Sequence, residues 1–403
     1  MSALFQPFSL RGLTLENRIV ISPMCQYSAD NGQATAWHHT HLGSLSLSGA
    51  GLLMIEATAV SPEGRITNGC LGLWDDATEA ALERTLAAIR QNALVPIGMQ
   101  IAHAGRKASS ARPWEGGALL ALDAGGWETM GPSPLPQRPE ERPPREMTDA
   151  DLARVRDQFV DTARRAVRLG LSAIELHAAH GYLLHEFLSP IANQRTDAFG
   201  GSRENRMRYP LEIFDAVRAV VPDNIPVGVR VSATDWVEGG WTPEDSVAFA
   251  QALRARGCDW IDASSGGVSP LQQIPLSTGY QVPFAEKIRN EADIPTIAVG
   301  LINEAHEAEA IVAQGRADLV AVGRAFLYNP HWAWAAAAEL GATVKAPPQY
   351  WRAFPRHAKN LFGDTHFGAR SRESACADVA SRACGRPRPT RRARGAGRVS
   401  RTW

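Results

Sequence analysis

Short β-type runs alternate with helical stretches along most of this 403-residue chain, and this rhythm limits its fold more than any other feature. Eight apolar runs have the length and the β-branched content of buried strands. They lie at residues 18–22, 52–58, 96–102, 173–178, 226–232, 260–264, 295–300 and 319–323. The helical stretches between them lie at residues 76–92, 149–169, 206–221, 243–256, 285–292 and 303–314. Eight strands, each followed by a helical segment, predict an α/β protein with a (β/α)8 TIM barrel.

The main alternative is a doubly wound open sheet, which expects a glycine-rich phosphate turn after its first strand. The first strand of this chain runs instead into Pro23, and no such turn follows it. Local signals support helices between the strands, since Thr148 with Asp151 predicts a capped helix start. Glycines suited to helix C-termini follow three of the predicted helices, at Gly170, Gly257 and Gly315. The barrel is therefore the preferred fold.

One connection is far longer than the others. Residues 103–147 lie between the third strand and the helix at 149–169, and they are rich in Gly, Pro and Trp. Connections of this length in a compact domain usually carry function. This one leaves the C-terminal end of a barrel strand, which is where barrel active sites lie. We therefore expect an excursion after strand three that caps the C-terminal rim.

Composition disfavours several classes of function. The chain is 44% hydrophobic and its formal net charge is zero, so nucleic acid or an anionic membrane is not expected as the main partner. No apolar run reaches the roughly 18 residues of a membrane span, and no secretory signal is visible at the start. The five cysteines form no CxxC pair and no zinc-ligand spacing. We expect a cytoplasmic protein with free thiols.

The C-terminal part differs in composition from the rest of the chain. Residues 370–403 carry ten arginines against two acidic residues and have almost no large apolar side chains. A basic arm for nucleic acid or acidic lipid is one interpretation. The preferred interpretation is a disordered or non-native extension. We therefore predict one barrel domain at residues 1–360 and an Arg-rich tail at residues 361–403.

The fourth strand carries the clearest chemical pattern, because it ends in His177 and is followed by His180 and Tyr182. Imidazoles can hold and polarise a carbonyl oxygen, and a phenol can deliver a proton to carbon. Both histidines can address one ligand only if the strand stops near His177 and the chain then turns, which Gly181 favours. Zinc ligation and a buried structural role are the alternatives. No third ligand is spaced to complete a zinc site.

Other strand ends also carry candidate residues. Gly300 and Gly323 follow strands seven and eight, and with Arg324 they predict a phosphate site of the kind that barrels usually have. Arg230 on strand five would lie under a ring carbonyl or a developing anion. Cys25 follows strand one, where an inert buried thiol is the default interpretation.

Five ordered motifs resemble the Old Yellow Enzyme family of flavin-dependent ene-reductases, and more narrowly its thermophilic-like subgroup, which includes xenobiotic reductases. The motifs are residues 17–27, 103–107, 174–182, 200–206 and 322–324. The resemblance runs from about Leu4 to Phe354. Each motif alone is weak evidence, but five in order on a predicted barrel are specific. The resemblance implies an NADPH dehydrogenase or ene-reductase that binds FMN and uses NADPH or NADH as its reductant.

The resemblance also implies roles for particular residues. The FMN ring and ribityl chain would contact the ends of the first three strands, at Ser22, Pro23, Met24, Cys25, Ala57 and Gln100. Arg230 would face the N1 and C2-carbonyl side of the ring, and Gly300, Gly323 and Arg324 would bind the phosphate. Cys25 would also tune the flavin and touch the substrate, and Tyr27 would line the same pocket. Lys107 would hold the flavin or the capping segment.

The implied reaction is ping-pong reduction of the C=C bond of enones, enals, maleimides and nitro xenobiotics, with no metal. His177 and His180 would bind the carbonyl oxygen, and Tyr182 would protonate Cα. Trp351 or Arg352 would reach the active site of a neighbouring subunit, which implies a homodimer or homotetramer. Two alternatives are another FMN barrel dehydrogenase, which the paired histidines disfavour, and a non-enzymatic binding protein that uses the basic tail.

Overall fold

A closed barrel of eight parallel strands forms the centre of the computed structural model, which describes residues 2–365. The barrel strands, in order around the sheet, are β1 (Ile19–Ile21), β2 (Leu52–Ala59), β3 (Ile97–Ala102), β4 (Ile174–Ala178), β5 (Val227–Ser232), β6 (Ile261–Ser264), β7 (Thr296–Ala298) and β8 (Leu319–Val322). The barrel closes because β1 pairs with β8, with Val20 opposite Ala321. The predicted (β/α)8 fold is confirmed.

Helices follow the strands around the outside of the barrel. They are α1 (Ala36–Ser46), α2 (Asp76–Arg90), α3 (Asp149–Arg168), α4 (Leu183–Leu188), α5 (Arg203–Arg218), α6 (Pro243–Arg254), α7 (Val282–Ala292), α8 (Ala305–Ala313), α9 (Arg324–Tyr328) and α10 (Trp332–Glu339). The Thr148 hydroxyl accepts from the Asp151 amide at the start of α3, as its sequence predicts. Gly170, Gly257 and Gly315 all adopt positive φ just past helix ends, which also agrees with the prediction.

Helices α9 and α10 were not predicted, and three other helices differ from the sequence prediction for local reasons. Helix α5 begins before residue 206 because the Ser202 side chain caps it by accepting from the Asn205 amide. Helix α7 begins before residue 285, and Pro283 lies in its first turn, where proline is tolerated. Helix α1 was not predicted, since the polar residues His38 and Ser46 occupy part of its buried face.

The inward-facing side chains at the amino end of the barrel are apolar. Trp260, which precedes β6, is fully buried there. Gly228 on β5 makes room for it, because a Cβ at Gly228 would lie 2.0 Å from the indole. An antiparallel hairpin, Phe8–Leu10 with Leu13–Leu15, packs Leu10 and Leu15 into the same apolar cluster. The hairpin therefore closes this end, and the opposite rim is left for polar side chains.

The excursion after β3 lies over the C-terminal rim, as predicted. It consists of three short 3-10 helices and two two-residue strands, Met130–Gly131 and Arg145–Glu146, which pair in parallel. The Arg106 Nη2 donates to the Val268 carbonyl at 2.6 Å, and the Gln137 amide reaches the Gly267 carbonyl at 3.4 Å. Both carbonyls belong to the loop after β6, so the excursion is tied to the rim from across the barrel.

Of the described residues, 2–363 form one compact unit. Leu361 is buried there in a small apolar cluster with Trp334 and Val344. The predicted Arg-rich segment at residues 370–403 lies outside the described residues, so the domain division at residue 360 stays a prediction. Across residues 2–365, no helix has the length and apolar character that a membrane crossing requires.

Replacing Gly228 by alanine should destabilise the barrel, because the new methyl group would overlap the Trp260 indole inside a packed core. We expect a loss of about 1–3 kcal/mol in the free energy of unfolding, measured by urea denaturation. Gly43→Ala is the matched control, since a Cβ there meets Ile89 at an ordinary 3.5 Å inside helix α1. That change should be neutral or stabilising by roughly 0.5–1 kcal/mol. Equal unfolding midpoints for the two variants would contradict the packing argument.

Candidate active site

The chain turns sharply after β4, and this turn brings His177, His180 and Tyr182 together. The strand ends at Ala178, His180 and Gly181 have φ of 60° and 74°, and Tyr182 begins α4 as its N-cap residue. Glycine is required at 181, because a Cβ there would lie 2.3 Å from the Gly267 carbonyl oxygen. The strand thus stops where the sequence predicts, and the two histidine rings lie 5.0 Å apart between centroids. Residues 179–182 are called the catalytic turn below.

The two imidazoles face each other through single nitrogen atoms. His177 Nε2 lies 3.3 Å from His180 Nδ1. The Ala179 amide donates to His177 Nδ1 at 3.2 Å, which leaves the proton of this ring on Nε2. The second nitrogen of the His180 ring, Nε2, lies 2.7 Å from the Ser264 hydroxyl, which helps to hold the ring in place. The His180 amide donates to the Ser232 hydroxyl at 2.9 Å, so the backbone of the turn is fixed as well.

Burial sets the protonation states of all three rings. It lowers the pKa of His177 and of His180 well below the usual value, and the nearby Arg230 guanidinium acts in the same direction. It also raises the pKa of Tyr182 well above the usual value. The Tyr182 ring packs edge-on against His177 at 4.8 Å between centroids. At neutral pH the site therefore holds two neutral imidazoles beside a protonated phenol.

Lys107 connects the excursion to the catalytic turn. Its Nζ donates to the His180 carbonyl at 2.8 Å and to the Gly267 carbonyl at 3.1 Å, and it lies 5.1 Å from the Tyr182 ring centroid. Burial, together with the nearby Arg106 guanidinium, lowers the pKa of this ammonium to about 8. The structure thus gives Lys107 the capping-segment contact that the sequence resemblance offered as one of two roles.

Beneath the histidines, the barrel interior contains a buried carboxyl group. Glu175 accepts from the Gln100 amide at 2.8 Å and from the Trp260 indole at 3.1 Å. Burial, and the neighbouring Asp262 carboxylate, raise the pKa of Glu175 to about 7. Gln100, assigned from sequence to the flavin, therefore also holds this inner carboxyl.

Arg230 on β5 lies in the same layer and reaches the first strand. Its Nη1 donates to the Ser22 hydroxyl at 3.2 Å, and its Nε lies 3.4 Å from Asp262 Oδ2. The Nε atom is buried and has no hydrogen-bond partner within residues 2–365. Burial raises the pKa of Asp262 as well. This guanidinium is therefore held between the end of β1 and the buried Asp262 carboxyl group at the base of the site.

The segment after β1 carries Cys25 and Tyr27. The Gln26 amide between them donates to Glu56 Oε2 at 2.8 Å, and His38 Nε2 lies 3.3 Å from the other oxygen of that carboxyl. Glu56 and Ala57 sit where the register between β2 and β3 shifts, which re-aims side chains near a strand end. Burial, with Glu56, raises the pKa of Cys25 well above the usual value, so the sulfur is a thiol at neutral pH.

The predicted phosphate residues lie at the ends of β7 and β8. Gly300 has φ of 126°, and its carbonyl accepts from the Gly279 amide at 2.9 Å. A Cβ at Gly323 would lie 3.5 Å from the Met24 sulfur, so the ends of β8 and β1 adjoin. Pro23, beside Met24, is half-buried at this junction. Arg324 is exposed, and within residues 2–365 its guanidinium makes no hydrogen bond or ion pair, so it is available to an anion.

Trp351 lies elsewhere in the chain. It lines a cavity of about 510 Å³ together with Asn17 and Gly49, which precede β1 and β2. Its indole donates to the Ala346 carbonyl at 2.9 Å. The amino ends of the strands are opposite the histidines, so Trp351 does not join the site of its own chain. Its predicted contact with a neighbouring subunit's substrate stays a prediction.

Several residues that complete the site were not assigned roles from the sequence. Ser232 and Ser264 fix His180, and each is the last residue of its strand, a position that marks the active rim. Glu175 and Asp262 lie inside buried strands, where a carboxyl group is itself a signal of unusual chemistry. Among residues 2–365, no cluster of three His, Cys, Asp or Glu side chains is arranged to hold a metal ion.

Comparisons with known proteins give a consistent picture. The sequence profile of the family described as "NADH:flavin oxidoreductase / NADH oxidase family" matches residues 3–342. An NADPH dehydrogenase of Geobacillus thermodenitrificans is 45% identical over 353 residues, which are 87% of this chain and 98% of the relative. An NADH:flavin oxidoreductase of Gibberella zeae is 43% identical over 374 residues, which cover 88% of this chain and 90% of the relative.

Solved structures show the same fold. Morphinone reductase is 26% identical and superposes with a TM-score of 0.71 over 92% of this chain and 96% of its own. The 2-naphthoyl-CoA reductase in complex with 2-naphthoyl-CoA is 25% identical, with a TM-score of 0.75. The match covers 84% of this chain but 52% of that one, so this chain spans about half of the larger protein.

Lys107 should make stability depend on pH in the alkaline range. Its pKa is about 8 in the folded protein and 10.5 in a free chain, so the folded state loses the proton first. Between these values the unfolded state binds more protons, and the free energy of unfolding should rise with pH relative to Lys107→Met. Urea denaturation across this interval measures the difference.

Lys345→Met is the control for removing an ammonium group, since Lys345 is 61% exposed beside Glu16. It should stay within about 0.5 kcal/mol of the unchanged protein. The free energy of unfolding of the unchanged protein, minus that of Lys107→Met, should rise with pH. A fall in this difference would contradict the burial of the ammonium.

Proposed function

The chain belongs to the NADH:flavin oxidoreductase / NADH oxidase family, the Old Yellow Enzyme family of flavin-dependent oxidoreductases, and we propose that it is an FMN-dependent ene-reductase. The proposed substrates are small α,β-unsaturated carbonyl compounds, and the proposed reductant is NADPH, by likeness to the relatives named NADPH dehydrogenase. One observation carries the proposal. His177 Nε2 and His180 Nδ1 lie 3.3 Å apart at the barrel mouth, beside a half-buried phenol that keeps its proton.

The residues around the barrel mouth fit FMN. Arg230 is a buried cation beside Ser22 at the end of β1, which suits the electron-rich N1 and C2-carbonyl side of the ring. Gly323 has no side chain where β1 and β8 adjoin, and Arg324 is available for a phosphate. When bound, FMN would supply hydride transfer from NAD(P)H to Cβ of the alkene. The residues at this mouth would hold it, namely Ser22, Pro23, Met24, Cys25, Ala57, Gln100, Arg230, Gly300, Gly323 and Arg324.

The histidine pair is built to hold a carbonyl oxygen. The proton of His177 is on Nε2, because its Nδ1 accepts from the Ala179 amide. If the Ser264 hydroxyl donates to His180 Nε2, the proton of the second ring is on Nδ1. Two neutral N–H groups then converge on one oxygen and stabilise the negative charge that develops there during reduction. Neutral donors suit this task, since they bind the oxygen without protonating it.

Tyr182 provides the proton for Cα. Its ring packs against His177, so a substrate held by the histidines lies beside the phenol. Burial holds its pKa well above the usual value, so the hydroxyl keeps its proton throughout the physiological range. A donor must be protonated before the reaction, and this environment ensures that state.

Further parts of the proposal concern the surroundings of the site. Cys25, as a thiol, and Tyr27 would line the substrate pocket next to the flavin edge. Trp351 would contact substrate only in a second copy of the chain, because it lies at the amino end of its own barrel. We therefore propose a homodimer or homotetramer. Free cysteines at 25, 70 and 258 support a cytoplasmic location.

Anaerobic titration tests the activity directly. NADPH should bleach the flavin absorbance of the holoenzyme, and cyclohexenone or maleimide should restore it. The double variant His177→Ala with His180→Ala should keep its FMN but bind a phenol ligand about 10- to 100-fold more weakly, because two hydrogen bonds are lost. The control pair, His39→Ala with His306→Ala, removes two exposed imidazoles and should bind normally. A holoenzyme that NADPH bleaches but no enone reoxidises is not an ene-reductase.

Replacing Tyr182 by phenylalanine should slow reoxidation by an enone about 10²- to 10⁴-fold, while flavin reduction changes little. Tyr328→Phe, at a 94% exposed position, is the matched control. Because the pKa of Tyr182 is raised, the enone-driven step of the unchanged enzyme should show no loss of rate from phenol ionisation up to pH 9. Stopped-flow absorbance measures both half-reactions. Equal slowing of the two would contradict the proton-donor role.

A further inference from the structure

A third histidine supports the catalytic turn from below. His185 lies in α4 and is fully buried. Its Nδ1 accepts a hydrogen bond from the Gly181 amide at 2.8 Å. Gly181 lies between His180 and Tyr182, so this bond fixes the backbone that carries both side chains.

The other side of the His185 ring faces a carboxylate. Asp235, in the loop after β5, is also fully buried, and its Oδ1 lies 2.9 Å from His185 Nε2. Its Oδ2 accepts from the Ser189 hydroxyl at 2.6 Å and from the Trp241 amide at 2.7 Å. Burial alone would raise the pKa of Asp235, but the imidazole and these donors together hold it below its usual value. The carboxylate is thus ionised and locked in place.

These contacts determine the state of the His185 ring. Because Nδ1 accepts from a backbone amide, the ring is neutral and its proton is on Nε2, toward Asp235. The charge of the Asp235 carboxylate, 2.9 Å from Nε2, favours this tautomer, which leaves Nδ1 able to accept from Gly181. A buried histidine–carboxylate pair is weak evidence for added stability, since apolar residues of similar volume often stabilise a core as well. An apolar residue in place of His185 could fill the same volume, but it could not accept a hydrogen bond from the Gly181 amide.

We propose that His185 is a positioning residue for the proposed ene-reduction, which acts through Tyr182 and is itself oriented by Asp235. This inference rests on the proposed function. Lys107 holds the same turn from above through the His180 carbonyl, and the Leu183 amide donates to the His103 carbonyl at 3.0 Å. The catalytic turn is therefore fixed on both sides, with His185 beneath the phenol donor.

A mutant cycle tests whether His185 acts through Tyr182. We expect His185→Leu in the holoenzyme to slow reoxidation by cyclohexenone about 10- to 100-fold, as loss of precise placement does. In a Tyr182→Phe background the same substitution should cause less than a twofold further loss, because the group that it positions is absent. His185→Asn should recover most of the rate, since its Oδ1 occupies the place of Nδ1 and can accept from Gly181. Equal losses in both backgrounds would show a general structural role and overturn the proposal.

Asp235→Asn keeps the proposal testable if His185→Leu does not fold. It retains the volume and the contact with Ser189 but removes the charge that selects the tautomer. We expect a loss of about tenfold in the enone step, again absent in the Tyr182→Phe background. An unchanged rate for this variant would mean that Asp235 does not orient the ring.

Amide hydrogen exchange separates this inference from the proposed function. The Gly181 amide should exchange at least tenfold faster in His185→Leu than in the unchanged protein, and at a nearly normal rate in His185→Asn. If the protein reduces no enone but Gly181 loses protection in this pattern, the proposed function fails while the anchoring remains. If the unchanged protein reduces enones and His185→Leu alters neither rate nor exchange, the positioning role is wrong.

Discussion

In a closed barrel every second residue of each strand points inward, and this alternation determines which side chains can meet inside. On β4 it places Glu175 one layer below His177, and on β6 it places Asp262 one layer below Ser264. On β5 the same spacing puts Gly228 in the apolar layer of Trp260 and Arg230 in the layer of the carboxyl groups. From the amino end to the carboxyl end of the barrel, the inward side chains therefore form an apolar layer, then a charged layer, then the layer that contains His177.

The charged middle layer separates the apolar closure of the barrel from its reactive rim. Two carboxyl groups, Glu175 and Asp262, face one guanidinium, Arg230, and burial raises the pKa of both acids. Arg230 alone at this depth would be an isolated buried cation, which is costly. Asp262, 3.4 Å from its Nε, and the Ser22 hydroxyl hold the guanidinium in place at the level where the flavin is proposed to bind.

The sequence predicts most of the fold because strands and barrel ends are locally encoded. Apolar runs, helix caps and glycines at helix ends identify all eight strands and the turn after β4. Residues proposed to act together within one βα unit, such as His177, His180 and Tyr182, are recognised in the same way. The start of α5 was missed because Ser202 caps it before its apolar pattern begins. The serine cap is a local signal, but it is weaker than the apolar periodicity that begins at residue 206.

Pairs that join two βα units are not encoded locally, and the sequence could not provide them. His38 and Glu56 meet behind the Cys25 segment, and His185 meets Asp235 behind the catalytic turn. Each partner alone is typical of a helix or a loop, so the chemistry exists only once the barrel brings them together. Lys107 lies between these two cases. The sequence shows the motif that contains it, but not the two backbone carbonyls to which it donates.

The pairing of β1 with β8 has a consequence for how the chain is made. A ribosome releases β1 early, but its partner residues Val320 and Ala321 emerge only after almost the whole barrel has been synthesised. The amides of Ala3 and Leu4 donate to the Glu309 carboxylate on α8, so these hydrogen bonds also form only after most of the chain has been synthesised. Until then β1 and the newest strand are both open sheet edges, and open edges can pair with other chains. A nascent chain that stops short of β8 therefore has exposed edges and no completed rim, so closure of the barrel and formation of the active site are one late event.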